Sequence, residues 1–149
     1  MKDNKYLIMS IKTKYANKIF SGIKRFEYRT KSISENNLNK YCLIYSSEVD
    51  RSIIGYVIFD YIIEGNFEYL VKNTNPENPL GLKKYLAGRE KGYALHVKEH
   101  KKFDQPIKLE LLKSINKKFN IPQYYRYIKE DEYLYSIIDN NYLKERNYD

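Results

Sequence analysis

Apolar and polar positions alternate in a way that divides the chain into short elements. Tyr6-Leu7-Ile8-Met9-Ser10-Ile11 is a short apolar run closed by Lys12, which predicts a buried strand. Thr13 is placed to cap a following helix, and Ala16, Ile19 and Phe20 then recur at helical spacing. Gly22 supplies the left-handed stop. Arg25-Phe26-Glu27-Tyr28-Arg29 alternates strictly, with Phe26 and Tyr28 on one face and Arg25, Glu27 and Arg29 on the other. That pattern predicts a half-buried strand with its charges turned outward.

Ile33 to Lys40 is polar and Asn-rich and reads as a loop. Tyr41-Cys42-Leu43-Ile44-Tyr45 predicts another strand, ending at Ser46-Ser47. Ser52 to Ile63 predicts a longer one, in which Gly55 marks a bulge or a close backbone approach. Asn73 to Pro79 reads as a loop, and Leu82, Tyr85 and Leu86 as a short helix stopped by Gly88. Gly92 to Val97 predicts a strand, as does Ile107-Lys108-Leu109 after Pro106. From about Glu130 to Arg146 the chain reads as helix, with Tyr133, Leu134, Ile137, Ile138 and Leu143 as its apolar stripe.

Five or six strands with two or three short helices and no βαβ alternation argue for an α+β fold. The expectation is a small closed or half-closed antiparallel β-barrel with helices closing its ends, plus a C-terminal helix. Strands beginning at Tyr6, Arg25, Tyr41, Ser52 and Gly92 should share one curved, mostly antiparallel sheet, with the helix of residues 14–21 at one end. Residues 1–128 then form one domain, and 129–149 a helical extension packed on it.

The 149 residues suit a single hydrophobic core. No apolar run approaches the ~18 residues of a membrane span, and Met1 to Lys5 opens no apolar signal region. One cysteine, Cys42, allows no internal disulfide, so a cytoplasmic location is expected. Cys42, His96 and His100 are too few soft ligands for zinc, and no metal or cofactor is expected.

The net charge of +8 is unevenly distributed. Residues 1–40 and 81–120 each carry +7, while 41–80 carry −4 and 121–149 carry −2. Two basic blocks around an acidic one could gather positive charge on one face and attract nucleic acid; the alternative is a solvated lysine surface. The abundance of Lys, Asn, Ile and Tyr, with 17 Tyr and no Trp, matches an AT-rich genome, which discounts part of this signal.

The informative stretch is Lys12 to Arg29. Glu27 and Arg29 share a strand face, Lys24 lies in the preceding turn, and Lys12 and Lys14 flank the helix start. Lys24 and Arg29 can bind a phosphate or a base edge, with Glu27 ionised between them to orient Arg29 or accept from an amino group. A surface ion-pair ladder of little energetic worth is the competing explanation. No GxSxG, HExxH or phosphate-cradling glycine run is present. Cys42 in mid-strand reads as an inert buried thiol, and His96 and His100 as structural or surface histidines. Gln123-Tyr124-Tyr125-Arg126-Tyr127 could stack bases or pack on the barrel.

At these residues the chain resembles the ASCH domain family of the PUA-like superfamily. Gly22, Lys24, Glu27 and Arg29 match its glycine-x-lysine-x-x-glutamate-x-arginine segment in order and spacing. Ile44-Tyr45-Ser46-Ser47, Ile53-Ile54-Gly55, Gly81-Leu82, Tyr85-Leu86-Ala87-Gly88, Lys91-Gly92-Tyr93-Ala94-Leu95 and Pro122 to Tyr127 resemble the branch labelled predicted transcriptional regulators. The resemblance spans about residues 6–128. It implies a PUA-like barrel and a site for RNA or a nucleotide-like ligand beside Lys24, Glu27 and Arg29. Some family members are amidohydrolases acting on acetylated cytidine through a lysine, a threonine and a glutamate. Lys24 matches that lysine, Glu27 stands where the threonine would be, and Glu64 is only a loose counterpart of the glutamate. Other members are ribonucleases.

The leading reading is therefore an RNA- or nucleic-acid-binding module with a regulatory role, using Lys12, Lys14, Lys24, Glu27 and Arg29 with Tyr45, Ser46 and Ser47 nearby. The runner-up is a nucleoside or RNA hydrolase, either amidohydrolase or ribonuclease, with Lys24 and Glu27 as catalytic candidates. A third is a protein-interaction module that docks through the C-terminal helix, with Tyr135 and Tyr142 exposed.

Overall fold

The computed structural model describes residues 5–143. It is a mixed α+β fold with a six-stranded sheet. The strands are β1 (Tyr6–Ile11), β2 (Phe26–Arg29), β3 (Tyr41–Ser46), β4 (Ser52–Gly65), β5 (Gly92–Lys108) and β6 (Tyr125–Tyr127). Their order is β2-β5-β4-β3-β1-β6. The helices are α1 (Thr13–Phe20), α2 (Phe67–Thr74), α3 (Pro79–Tyr85), α4 (Leu109–Ile115) and α5 (Tyr133–Ile137). A 3-10 turn covers Glu35–Asn37, and a π-helical turn, Ile138–Tyr142, follows α5.

The chain packs as two compact units. One comprises the residues up to Thr13, Tyr41–Tyr56 and the residues from Lys101 onward; the other comprises Lys14–Lys40 and Val57–His100. In the first, β1 and β3 pair in parallel, from Tyr6 opposite Tyr41 to Ile11 opposite Ser46. This parallel pair sits within the mostly antiparallel sheet expected. A parallel neighbour requires a crossover, and the chain supplies one through α1, β2 and the 30–40 segment. The signal was present in the sequence: β1 and Cys42 to Ser46 are buried at every position, as in strands covered on both faces. On its other side β1 pairs antiparallel with β6, Leu7 opposite Tyr127 and Met9 opposite Tyr125. Tyr125 to Tyr127, part of the segment read as a base stacker or a packing element, thus pairs by its backbone and is half-buried. Arg126 donates to both Glu132 carboxylate oxygens and to the Asn120 carbonyl, which fastens the connection to α5.

In the second unit β2 pairs antiparallel with β5, from Phe26 opposite His96 to Arg29 opposite Tyr93. Phe26, Leu70, Leu82, Leu86 and Ala94 form its apolar core. Gly22 and Gly88, at φ of 84° and 79°, end α1 and α3 as their left-handed preference dictates.

Several boundaries differ from the sequence expectation. α2 occupies a stretch with no predicted helix; Asn66 caps it by accepting the Tyr69 N–H, and Asn75 ends it at φ 48°. The strands expected at Gly92 and Ile107 are one 17-residue strand that carries Pro106, and Leu109 begins α4 instead of ending a strand. The final helix begins at Tyr133; Leu134 and Ile138 are buried, Tyr133 is exposed, and Arg146 lies outside the described residues. No helix among the described residues is long and apolar enough to cross a membrane.

Candidate functional site

The second unit builds a charged cluster at the mouth of β2. Gly22 turns the chain out of α1 so that Lys24 precedes the strand, and Glu27 and Arg29 follow two apart on one face. Glu27 Oε2 accepts from Arg29 Nε at 2.9 Å, and Glu27 Oε1 lies 3.4 Å from Lys24 Nζ. The Lys24 ammonium also donates to the Phe26 carbonyl and sits 4.6 Å from the centre of the Tyr28 ring. Lys14 and Lys24 both lie over the ring of Tyr15, at 5.0 and 5.9 Å.

This cluster is not the exposed ladder that strict alternation predicts. The side chains of Glu27, Lys24 and Arg29 are only 6%, 14% and 16% exposed. Glu27 is buried although it occupies the polar face of a half-buried strand. Lys24, placed by the sequence in the turn before the strand, is largely covered. Burial lowers its pKa below the ordinary lysine value; Glu27 works the other way, and Arg29 and Lys18 lower it further. Tyr28 is raised, chiefly by burial. The Thr74 hydroxyl gives its proton to the Leu70 carbonyl at 2.6 Å, so Tyr28 is the donor in its 2.8 Å bond to Thr74 Oγ1.

The cluster borders an open cavity of about 430 Å³, lined by Lys24, Phe26, Tyr28 and Tyr61 with the end of α2 and the turn after it. Glu77, from the acidic block of residues 41–80, is also part of the lining; it is tied to Lys18. α2 was missed in the sequence, and with it Lys72 and Thr74. Asn66 followed by Phe67, Leu70 and Val71 was the available signal: a cap and then apolar residues three and four apart.

The remaining candidates, Glu64 excepted, fall in the first unit. Lys12 is exposed, whereas Tyr45 and Ser46 are buried. The Ser46 hydroxyl donates to Asp50 and takes part in a 2.8 Å bond with Thr13 Oγ1, which also accepts the Val49 N–H. Thr13 is thus the first residue of α1 and locks the β3–β4 turn instead of capping its own helix. Ser47 is partly buried, and its amide donates to the Ile11 carbonyl. Glu64 is exposed and pairs with Lys91. Among the described residues, no group of three or more His, Cys, Asp or Glu side chains could hold a metal.

No family model matches the chain. It is similar to an ASCH domain-containing ribonuclease of Zymomonas mobilis, 29% identical over 133 residues, with 87% of this chain and 88% of the relative covered. The crystal structure of ASCH from Zymomonas mobilis superposes with a TM-score of 0.77 at 26% identity, over 91% of this chain and 95% of that one. The N-terminal domain of Staphylothermus marinus McrB shares the fold at a TM-score of 0.56 and 11% identity, over 87% and 91% of the two chains. These likenesses support the ASCH domain family for this chain and show its PUA-like α+β fold. They do not extend to the transcriptional-regulator branch.

Proposed function

We propose that this chain is an RNA-binding ASCH domain protein, and that RNA engages the second unit beside Lys24 and Arg29. The observation that carries the reading is the Lys24–Glu27–Arg29 cluster bordering an aromatic-lined cavity. Glu27 holds the two cations in place without neutralising both, so the cluster keeps net positive charge for a phosphate or base edge. The relatedness to a protein named a ribonuclease supports RNA as the ligand. Tyr45 and Ser46, being buried, act in this reading as supports of the β3–β4 turn and not as contacts. The test is fluorescence anisotropy with a labelled RNA oligomer at rising salt. Binding should weaken with salt, and Arg29→Ala should weaken it about tenfold, the scale of one charge-assisted bond. An oligomer that stays unbound at low ionic strength overturns the reading.

A second reading, RNA cleavage by the same cluster, is favoured by the lowered pKa of Lys24. A buried lysine whose pKa is lowered gives up its proton more readily than a solvated one, which suits a general acid or base. The same labelled oligomer on a denaturing gel checks this: cleavage should be present in the wild type and absent in Lys24→Met.

A further inference from the structure

The cavity of the second unit contains chemistry that the ion cluster does not use. Tyr61, on β4, lines it and remains 42% exposed. Its ring stacks on the imidazole of His96 at 4.5 Å with an interplanar angle of 17°. Phe26 meets Tyr61 edge-on at 6.3 Å and His96 edge-on at 5.1 Å. His96 Nδ1 and Asp60 Oδ1 are 2.7 Å apart, so the carboxylate holds the imidazole at its edge. A tyrosine held this way on one face, with no second ring over the other among the described residues, is a rigid platform.

The charges in the lining point to the rest of the ligand. Lys72 and Arg25 line the same cavity, and among the described residues neither has an ion-pair partner. Glu77, the one carboxylate of the lining, is engaged by Lys18. A flat apolar surface beside unpaired cations fits a planar ring that carries a negative charge.

We infer that this cavity is a nucleotide subsite in which Tyr61 stacks a nucleobase and Lys72 and Arg25 take its phosphate. The inference deepens the RNA-binding reading and rests on it for the polymeric ligand. The stacking site itself requires only a nucleotide. Stacking on an aromatic side chain tolerates every base, so little base preference is expected.

The chain has no tryptophan, so Tyr61→Trp places a single fluorophore in the subsite. Titration with AMP, CMP and UMP should quench it saturably. The corresponding nucleosides should quench it at several-fold higher concentration, and inorganic phosphate not at all. Lys72→Ala combined with Tyr61→Trp should bring nucleotide affinity down to the nucleoside level. Tyr61→Leu in the wild-type background keeps an apolar side chain on His96 and should weaken oligomer binding about tenfold, the scale of one lost stacked base. If the oligomer binds in anisotropy but neither oligomer nor mononucleotide quenches the fluorophore, the subsite is overturned while the RNA-binding reading stands. Quenching by mononucleotides without any oligomer binding supports the subsite and identifies its ligand as a free nucleotide. Absence of both overturns both.

Discussion

Glu27 holds Arg29 at 2.9 Å and Lys24 at 3.4 Å with 6% of its side chain exposed, which makes its charge a structural commitment. Removing one partner from a buried ion network leaves the others uncompensated, at a cost of about 3–5 kcal/mol. Glu27→Gln should lose stability on that scale in urea denaturation; a loss within ~0.5 kcal/mol would return the cluster to the class of exposed pairs. Lys24 adds a pH signature. Its folded pKa lies below the unfolded 10.5, so the unfolded chain holds more protons in the interval between the two values. Stability from this group therefore rises with pH across that interval. Below the folded value the ammonium is charged in both states, and the native state bears its full desolvation. The gap in urea midpoint between wild type and Lys24→Met should move in favour of wild type as pH approaches 10.5. A gap that does not change with pH would mean that Lys24 titrates as an ordinary lysine.

At the scale of elements, what could be read from the sequence follows from how local its cause is. The Tyr6–Ile11 strand and the glycine stops of α1 and α3 were legible, because runs and left-handed glycines are written in adjacent residues. The residues that assemble the cluster were legible as well: Lys24, Glu27 and Arg29 are all there at the expected spacing. Their burial was not. Alternation assigns Glu27 to the outside, and only neighbours distant in sequence reverse that assignment. Tyr61 was missed for the same reason, since its backing by His96 joins residues 35 apart. α2 was a missed local signal, obscured by the Asn- and Pro-rich stretch that follows. Its start depends on Asn66, whose side chain accepts the Tyr69 N–H at 2.9 Å. Asn66→Ala should destabilise the protein by ~1 kcal/mol in thermal or urea unfolding, the usual worth of an N-cap. It should also loosen the Tyr28–Thr74 bond at the far end of the helix, seen as faster hydrogen exchange at Thr74. Unchanged stability and exchange would show that tertiary packing of Leu70 sets the helix without the cap.

For the whole molecule the quantity that matters is where the net charge of +8 resides. The second unit carries 13 Lys and Arg against 8 Asp and Glu, and the first carries 14 against 11. Five of the eight excess positive charges thus belong to the unit with the cluster and the cavity. An RNA ligand that releases counterions from that unit should show a salt dependence set by a few of its cations. On a single strand each phosphate contact contributes about 0.7 to the log–log slope of affinity against salt. Neutralising Lys14 and Lys72 together, as Lys14→Gln with Lys72→Gln, should therefore shallow the slope by about 1.4 if both touch phosphate. Lys113→Gln with Lys117→Gln removes the same two charges from the first unit and should leave the slope unchanged. Equal shallowing in the two double variants would mean that the lysines act as a diffuse basic surface, with no localised interface in the second unit.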